Sequence, residues 1–181
     1  EASLKPYQIG HHELNMAPSM GIALFPQDGE NIDQLTQAAD VAMYHAKLDG
    51  RNTYRFFTPQ MQAKSVRALR VENALRRALE RDEFSLHYQP QICLHTGEIR
   101  SVEALLRWNQ PELGTVSPAE FIPVAEDSGQ ILQIGEWVLR QAIHQLRSWH
   151  QEGFEQLKVA VNLSAIQFHQ PQLPELISRI L

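Results

Sequence analysis

The spacing of apolar residues changes several times along the chain, and each change marks an element. Residues 7–9 and 13–16 read as short strands around Gly10, and residues 19–25 form an apolar run of the kind a buried strand needs. Pro26-Gln27-Asp28-Gly29 is turn chemistry, and Asn31 is a good N-cap. Ile32, Leu35, Ala39, Ala42, Met43 and Ala46 then recur at helical spacing, with Gly50 placed to end the helix and residues 53–56 to close as a strand. Thr58-Pro59 opens a second helix that runs to about residue 81, with Val66, Leu69, Leu75 and Leu79 as its stripe.

Past residue 82 the period falls to two. Phe84, Leu86, Tyr88 and Pro90 alternate with polar residues, His95-Thr96-Gly97-Glu98 makes a turn, and residues 99–108 return. Ser117-Pro118-Ala119-Glu120 has the spacing of a capping box and opens a short helix. A longer helix is expected over 130–151, with Leu139, Ala142, Ile143, Leu146 and Trp149 on one stripe. Residues 158–163 follow as a β-branched strand, and a last helix begins near Pro174. Strand, helices, strand, helix is the order of a parallel α/β architecture.

Composition narrows the class. Hydrophobic residues make up 43% of the 181 residues, enough to build a packed core. The formal charge of −5 argues against a surface for DNA or RNA polymers, which needs clustered Lys and Arg. Cys93 is the single cysteine, so no internal disulfide can form, and a cytoplasmic setting is expected. No apolar run approaches the ~18 residues that span a bilayer. The chain starts at Glu1 rather than Met and stops inside an amphipathic pattern, as a segment of a longer protein does.

Chemistry concentrates on two strands. Along 102–108, Val102, Ala104, Leu106 and Trp108 share one apolar face, while Glu103, Leu105 and Arg107 share the other. A carboxylate on such a strand needs a partner or a metal, and a Glu103–Arg107 ion pair satisfies the same spacing. Asn162 ends the strand Val159-Ala160-Val161. An amide there offers a neutral oxygen to a hard cation, or simply caps the turn before Ser164.

These features stand in a wider frame. Tyr88-Gln89-Pro90, Glu103-Ala104-Leu105-Leu106-Arg107-Trp108, Phe121-Ile122-Pro123-Val124-Ala125-Glu126 and Val161-Asn162-Leu163-Ser164 occur in an order that resembles the EAL family of cyclic di-GMP phosphodiesterases. The resemblance implies the first half of a modified (β/α)₈ TIM-type barrel with one antiparallel strand. It also implies metal-dependent hydrolysis of cyclic di-GMP to linear pGpG. By resemblance, Glu103 is the signature metal-binding and catalytic glutamate, Asn162 a second metal ligand, and Gln89, Leu105 and Arg107 contact the dinucleotide. Mg²⁺ or Mn²⁺ is the implied cofactor, a hard cation that takes oxygen ligands. The family's remaining metal ligands and its lysine belong to sequence beyond residue 181, so these residues alone are expected to be inactive.

Ser19-Met20-Gly21-Ile22-Ala23, Asp28-Gly29 and the stretch from Ala39 to Asn52 resemble the C-terminal part of a GGDEF domain, a nucleotidyl-cyclase-like α+β fold that makes cyclic di-GMP from GTP. By resemblance Lys47 and Arg51 approach GTP phosphates. Two solvated cations that favour the helix dipole account for them equally. The expected organisation is a GGDEF remnant over 1–57, a linker helix over 58–81 and the EAL half over 82–181, in a parent that is a homodimer. The rival functions are a receptor that binds the dinucleotide without cutting it, and a scaffold in which the helix at 59–81 transmits domain motion.

Other candidates carry less. His11-His12 lacks a third ligand at sensible spacing. His144 and His150 cannot share a helix face. Cys93, placed in the alternating strand, reads as packing, and Trp137, Trp149 and Phe154 read as core.

Overall fold

The computed structural model describes residues 7–10, 12–14 and 18–181. The chain divides into two compact units, Glu1–Arg67 and Ala68–Leu181, and each is described by itself.

In the first unit, β1 (Tyr7–Ile9) and β2 (His12–Leu14) pair antiparallel about Gly10, whose φ of 63° suits a residue without a Cβ. The second strand thus starts earlier than expected, and residues 15–16 of that expectation lie outside the described residues. β3 (Ser19–Ile22), α1 (Ile32–Leu48) and β4 (Thr53–Phe56) form a β-α-β unit with β3 and β4 parallel. The expected strand over 19–25 stops at Ile22. The chain turns there, because the Asp28 carboxylate accepts the Leu24 N–H at 2.7 Å and the Asp28 N–H returns to the Leu24 carbonyl at 2.8 Å. Leu24 and Phe25 are consequently exposed. Asn31 caps α1 as its sequence predicts, accepting the Gln34 N–H at 3.0 Å. The buried stripe of α1 is Ala38, Ala42 and Ala46, whereas Ile32 is 78% exposed. Small residues face the sheet because the helix backbone approaches Gly21 so closely that a Cβ there would lie 1.8 Å from the Ala39 carbonyl oxygen.

Helix α2 (Pro59–Ala78) joins the two units. Its buried positions are Val71, Leu75 and Ala78. Val66 and Leu69, expected on the stripe, are exposed. The helix stops through Glu83 N–H to Ala78 carbonyl at 3.0 Å, with Asp82 at φ 53°.

The second unit is built on a four-stranded sheet. β5 (Phe84–Ile92) and β6 (Ile99–Gln110) form the expected hairpin, antiparallel with Gln89 opposite Glu103. On the other edge of β6, its end pairs with β7 (Gly114–Val116), a three-residue strand absent from the sequence reading. Its beginning pairs in parallel with β8 (Lys158–Val161). Between β6 and β8 run α3 (Pro118–Asp127) and α4 (Ile131–Gln151), the crossover a parallel pair requires. The short α5 (Ala165–Phe168) and α6 (Leu173–Ile180) follow.

The core of this unit gathers Trp108, Phe121, Val71, Ile134 and Val116, all essentially inaccessible. Trp108 and Phe121 meet edge to face at 5.5 Å, and Trp137 packs beside Phe84 at 6.0 Å. Phe154, expected in the core, is 59% exposed. The buried residues of α4 are Ile131, Ile134, Gly135, Val138 and Ala142, mostly nearer its start than the expected stripe, of which only Ala142 is buried. The capping box expected at Ser117 does not form: the Glu120 N–H is taken by the Ser117 carbonyl at 2.8 Å, so the hydroxyl has no role as a cap. Among the described residues no helix is long and apolar enough to cross a membrane.

Candidate functional site

Strand β6 sorts its side chains as alternation dictates. Val102, Ala104 and Trp108 are buried with Leu106 half-buried on the helix-covered face, while Glu103, Leu105 and Arg107 lie half-buried on the other. The ladder places Gln89 of β5 and Ala160 of β8 opposite Glu103 on that same face. Asn162, two residues beyond Ala160, therefore projects to the same side. The Asn162 Nδ2 donates to Glu103 Oε1 at 2.7 Å across a sequence separation of 59 residues. Two oxygen-bearing side chains, one charged and one neutral, are thus brought within a hydrogen bond of each other at the carboxyl end of a parallel strand, where β/α barrels carry their sites. The alternative Glu103–Arg107 ion pair does not form, since Arg107 Nη1 turns to the Leu106 carbonyl at 2.9 Å.

Beside this pair opens a cleft of about 310 Å³, a size at the lower end of small-molecule sites. Leu105, Arg107 and Asn162 line it, together with Ile122 and Glu126 of α3 and Gln167 of α5. Its walls are mostly apolar, with Arg107, Glu126, Asn162, Ser164 and Gln167 as its polar residues. Gln89, on the exposed part of β5, does not line the cleft, and neither does Glu103, which reaches it only through its partner Asn162. Glu126 and Gln167 were not among the predicted site residues. Glu126 sits one helical turn from Ile122, and so shares its face. Gln167 is three residues after Ser164, the spacing of a capping box, and that signal was available in the sequence.

The fit to a divalent cation is partial. Glu103 and Asn162 supply hard oxygen donors of the type Mg²⁺ or Mn²⁺ accepts. Among the described residues no group of three or more His, Cys, Asp and Glu gathers to hold a metal. Lys47 lies exposed in the last turn of α1, where a cation meets the negative end of the helix dipole, and Arg51 is exposed just beyond it at φ 61°.

The remaining candidates are placed as follows. The side chains of His11 and His12 lie outside the described residues. The His150 Nε2 pairs with the Leu157 carbonyl at 2.9 Å, and His144 is exposed. Cys93 sits in the hairpin turn rather than in the strand, with its N–H donated to Glu98 O and its carbonyl accepting from Gly97. Hydrogen bonds from the Thr96 hydroxyl, then from the Thr96 and His95 N–H groups, hold its thiol below the usual range. Burial raises the Tyr88 hydroxyl, on a ring packed edge-on against Trp149 at 4.8 Å.

Fold and site define a class: a segment of a β/α barrel with oxygen donors gathered on the sheet face opposite its helices. The chain belongs to the EAL-domain family, whose model matches residues 72–181. The model for the diguanylate cyclase GGDEF domain matches residues 1–53. The bifunctional diguanylate cyclase/cyclic di-GMP phosphodiesterase MucR of Pseudomonas aeruginosa is 49% identical over 164 residues, which is 91% of this chain and 24% of MucR. The cyclic di-GMP phosphodiesterase NbdA of the same organism is 42% identical over 161 residues, 89% of this chain and 21% of NbdA. Among solved structures, the PaMucR phosphodiesterase in complex with c-di-GMP superposes with a TM-score of 0.60 at 45% identity, covering 62% of this chain and 45% of that one. The chain thus spans about a quarter of the length of the curated relatives it matches.

Proposed function

We propose that the protein containing this chain hydrolyses one phosphodiester of cyclic di-GMP to give linear pGpG. The observation that carries this reading is the 2.7 Å hydrogen bond from Asn162 Nδ2 to Glu103 Oε1, which brings the carboxylate and the amide, with its Oδ1, together from separate strands on one face of the sheet. Residues 1–57, 58–81 and 82–181 serve as the cyclase-type remnant, the linker helix and the first half of the hydrolase barrel. The two matched regions, 1–53 and 72–181, support that division.

Glu103 and Asn162 would hold a divalent cation, Mg²⁺ or Mn²⁺. Bound there, such an ion neutralises phosphate charge and lowers the pKa of a coordinated water. The chain's own residues supply placement. The Glu103 carboxylate contributes the single formal charge of the pair, and the Asn162 amide contributes an oxygen without adding repulsion. Arg107, half-buried at the cleft with one fork nitrogen already tied to the backbone, would meet a phosphate oxygen through its remaining donors. The Leu105 side chain offers an apolar wall to a guanine face, and Gln89, next to Glu103 in the ladder, would orient the dinucleotide. At the cyclase-type unit Lys47 and Arg51 would receive GTP phosphates. The exposed apolar Val66 and Leu69 on α2 support self-association of the whole protein.

The full-length protein is incubated with cyclic di-GMP and Mg²⁺ or Mn²⁺, and the products are separated. The reading expects pGpG with either ion and none after chelation. Recovery of intact dinucleotide, bound but uncut, would instead make the protein a receptor. The 181-residue segment by itself is expected to give no turnover, since two ligands cannot complete a two-metal site.

A further inference from the structure

The Asn162 side chain is exposed, so side-chain packing does not hold it in place. Apart from its hydrogen bond to Glu103, its position is set by the backbone on either side. On one side Val161 is tied into the sheet opposite Ala104. On the other side the chain leaves the sheet at once, and only Asn162 and Leu163 separate it from Ser164. There it is caught again. The Ser164 N–H donates to Gln167 Oε1 at 3.1 Å, and the Gln167 N–H donates to Ser164 Oγ at 3.2 Å, a reciprocal capping box.

Helix α5 has four residues, too few to hold its shape unaided. Its box therefore needs outside support, and α4 supplies it. Gln167 is 5% exposed, and its amide lies over Gly135. A Cβ at Gly135 would stand 1.7 Å from Gln167 Nε2 and 2.5 Å from its Cδ. Only a residue without a side chain leaves room for that amide. Gly135 in turn is flanked on α4 by Ile134 and Val138, which belong to the core. A continuous line of contacts thus runs from the core through Gly135, Gln167 and Ser164 to the residue two positions from the Glu103–Asn162 pair.

We propose that Gln167, seated on Gly135, is a positioning residue that fixes the β8–α5 turn and so holds the Asn162 amide where it can share a divalent cation with Glu103. This inference rests on the cation reading given above. It gives Gln167 no contact with substrate or ion.

The test uses the full-length protein and Mn²⁺, with affinity measured by calorimetry and amide hydrogen exchange followed over residues 162–168. Q167A is expected to speed exchange in that segment and to weaken Mn²⁺ binding by about tenfold, the lower end of the usual effect of groups that orient metal ligands. The KM for cyclic di-GMP at saturating Mn²⁺ is expected to stay near the starting value. G135A keeps every polar group but displaces the Gln167 amide, so it should give the same loss and carries the test if Q167A fails to fold. The double variant G135A/Q167A should bind no more weakly than Q167A, because the added methyl then displaces nothing. Q167E retains the acceptor oxygen and should restore most of the affinity. If Glu103→Ala and Asn162→Ala lose the ion while Q167A and G135A bind it as tightly as the starting protein, the positioning role is overturned and the cation reading stands. If Glu103→Ala also binds Mn²⁺ normally, the cation reading fails and the positioning role fails with it.

Discussion

Glu83 and Trp108 show how a single polar contact can be fixed by its surroundings. Trp108 is fully buried, and its Nε1–H donates to Glu83 Oε2 at 3.0 Å, while Glu83 is itself 9% exposed with Arg81 3.9 Å away. A buried indole N–H without an acceptor is costly, and so is a buried carboxylate without a donor. Glu83→Ala should lower stability by about 1–3 kcal/mol, and Trp108→Ala by about 3–5 kcal/mol through the cavity it leaves. Urea unfolding followed by circular dichroism measures both. At the site, Glu103→Ala in the full-length protein should reduce cyclic di-GMP turnover by about a hundredfold or more, as expected for loss of a metal-holding carboxylate. Retained turnover in that variant is incompatible with a metal role for Glu103. The positions of both residues were legible from sequence, since period-two alternation put Glu103 opposite the apolar face and Asn162 at a strand end, while their proposed metal role came from the resemblance alone. Their contact was not legible, because alternation within one strand says nothing about which strand lies beside it.

Elements differed in how well the sequence specified them. Long patterns with punctuation were readable: the hairpin of β5 and β6 has alternation on both arms and Gly97 at φ 72° in the turn, and α4 has an unbroken helical repeat. Some short elements without a repeat were not. β7 has three residues and α5 four, and each exists because tertiary neighbours complete it. The apolar stripes also misled where the packing distance was small. α1 buries alanines rather than Ile32 because it lies on Gly21. Gly21→Ala should therefore be severe, costing about 3 kcal/mol, since a methyl would meet helix backbone that cannot step aside. A thermal melt compares it with Gly10→Ala, where nothing stands within 4 Å of the added methyl and only the left-handed φ of 63° resists it, at about 1–2 kcal/mol. The hairpin turn gives a chemical test. The Thr96 hydroxyl is the largest cause of the lowered Cys93 thiol, and a lower pKa means more thiolate at a given pH. Thr96→Val should raise that pKa and slow alkylation of Cys93 by iodoacetamide near neutral pH, with the rates converging once both thiols are ionised at alkaline pH.

At the scale of the whole molecule, the order of elements was the most legible feature. A β-α-β unit, a helix, and a hairpin followed by two helices and a parallel strand place the chain at the junction of two domain types, and the matched regions at 1–53 and 72–181 agree. Cleft walls were less legible, since Ile122, Glu126 and Gln167 come from elements whose docking the sequence does not state. The site assembles only because α3 and α4 return the chain to the edge of β6, which brings residue 162 back to residue 103. That return is the structural reason a glutamate and an asparagine so far apart in sequence lie within one hydrogen bond of each other.

The most direct measurement is anomalous diffraction from Mn²⁺-soaked crystals of the complete EAL domain of this protein. A peak is expected, bonded by a Glu103 carboxylate oxygen and by Asn162 Oδ1, on the sheet face shared with Leu105 and Arg107. A peak held by other residues, with Glu103 and Asn162 still bonded only to each other, would contradict it.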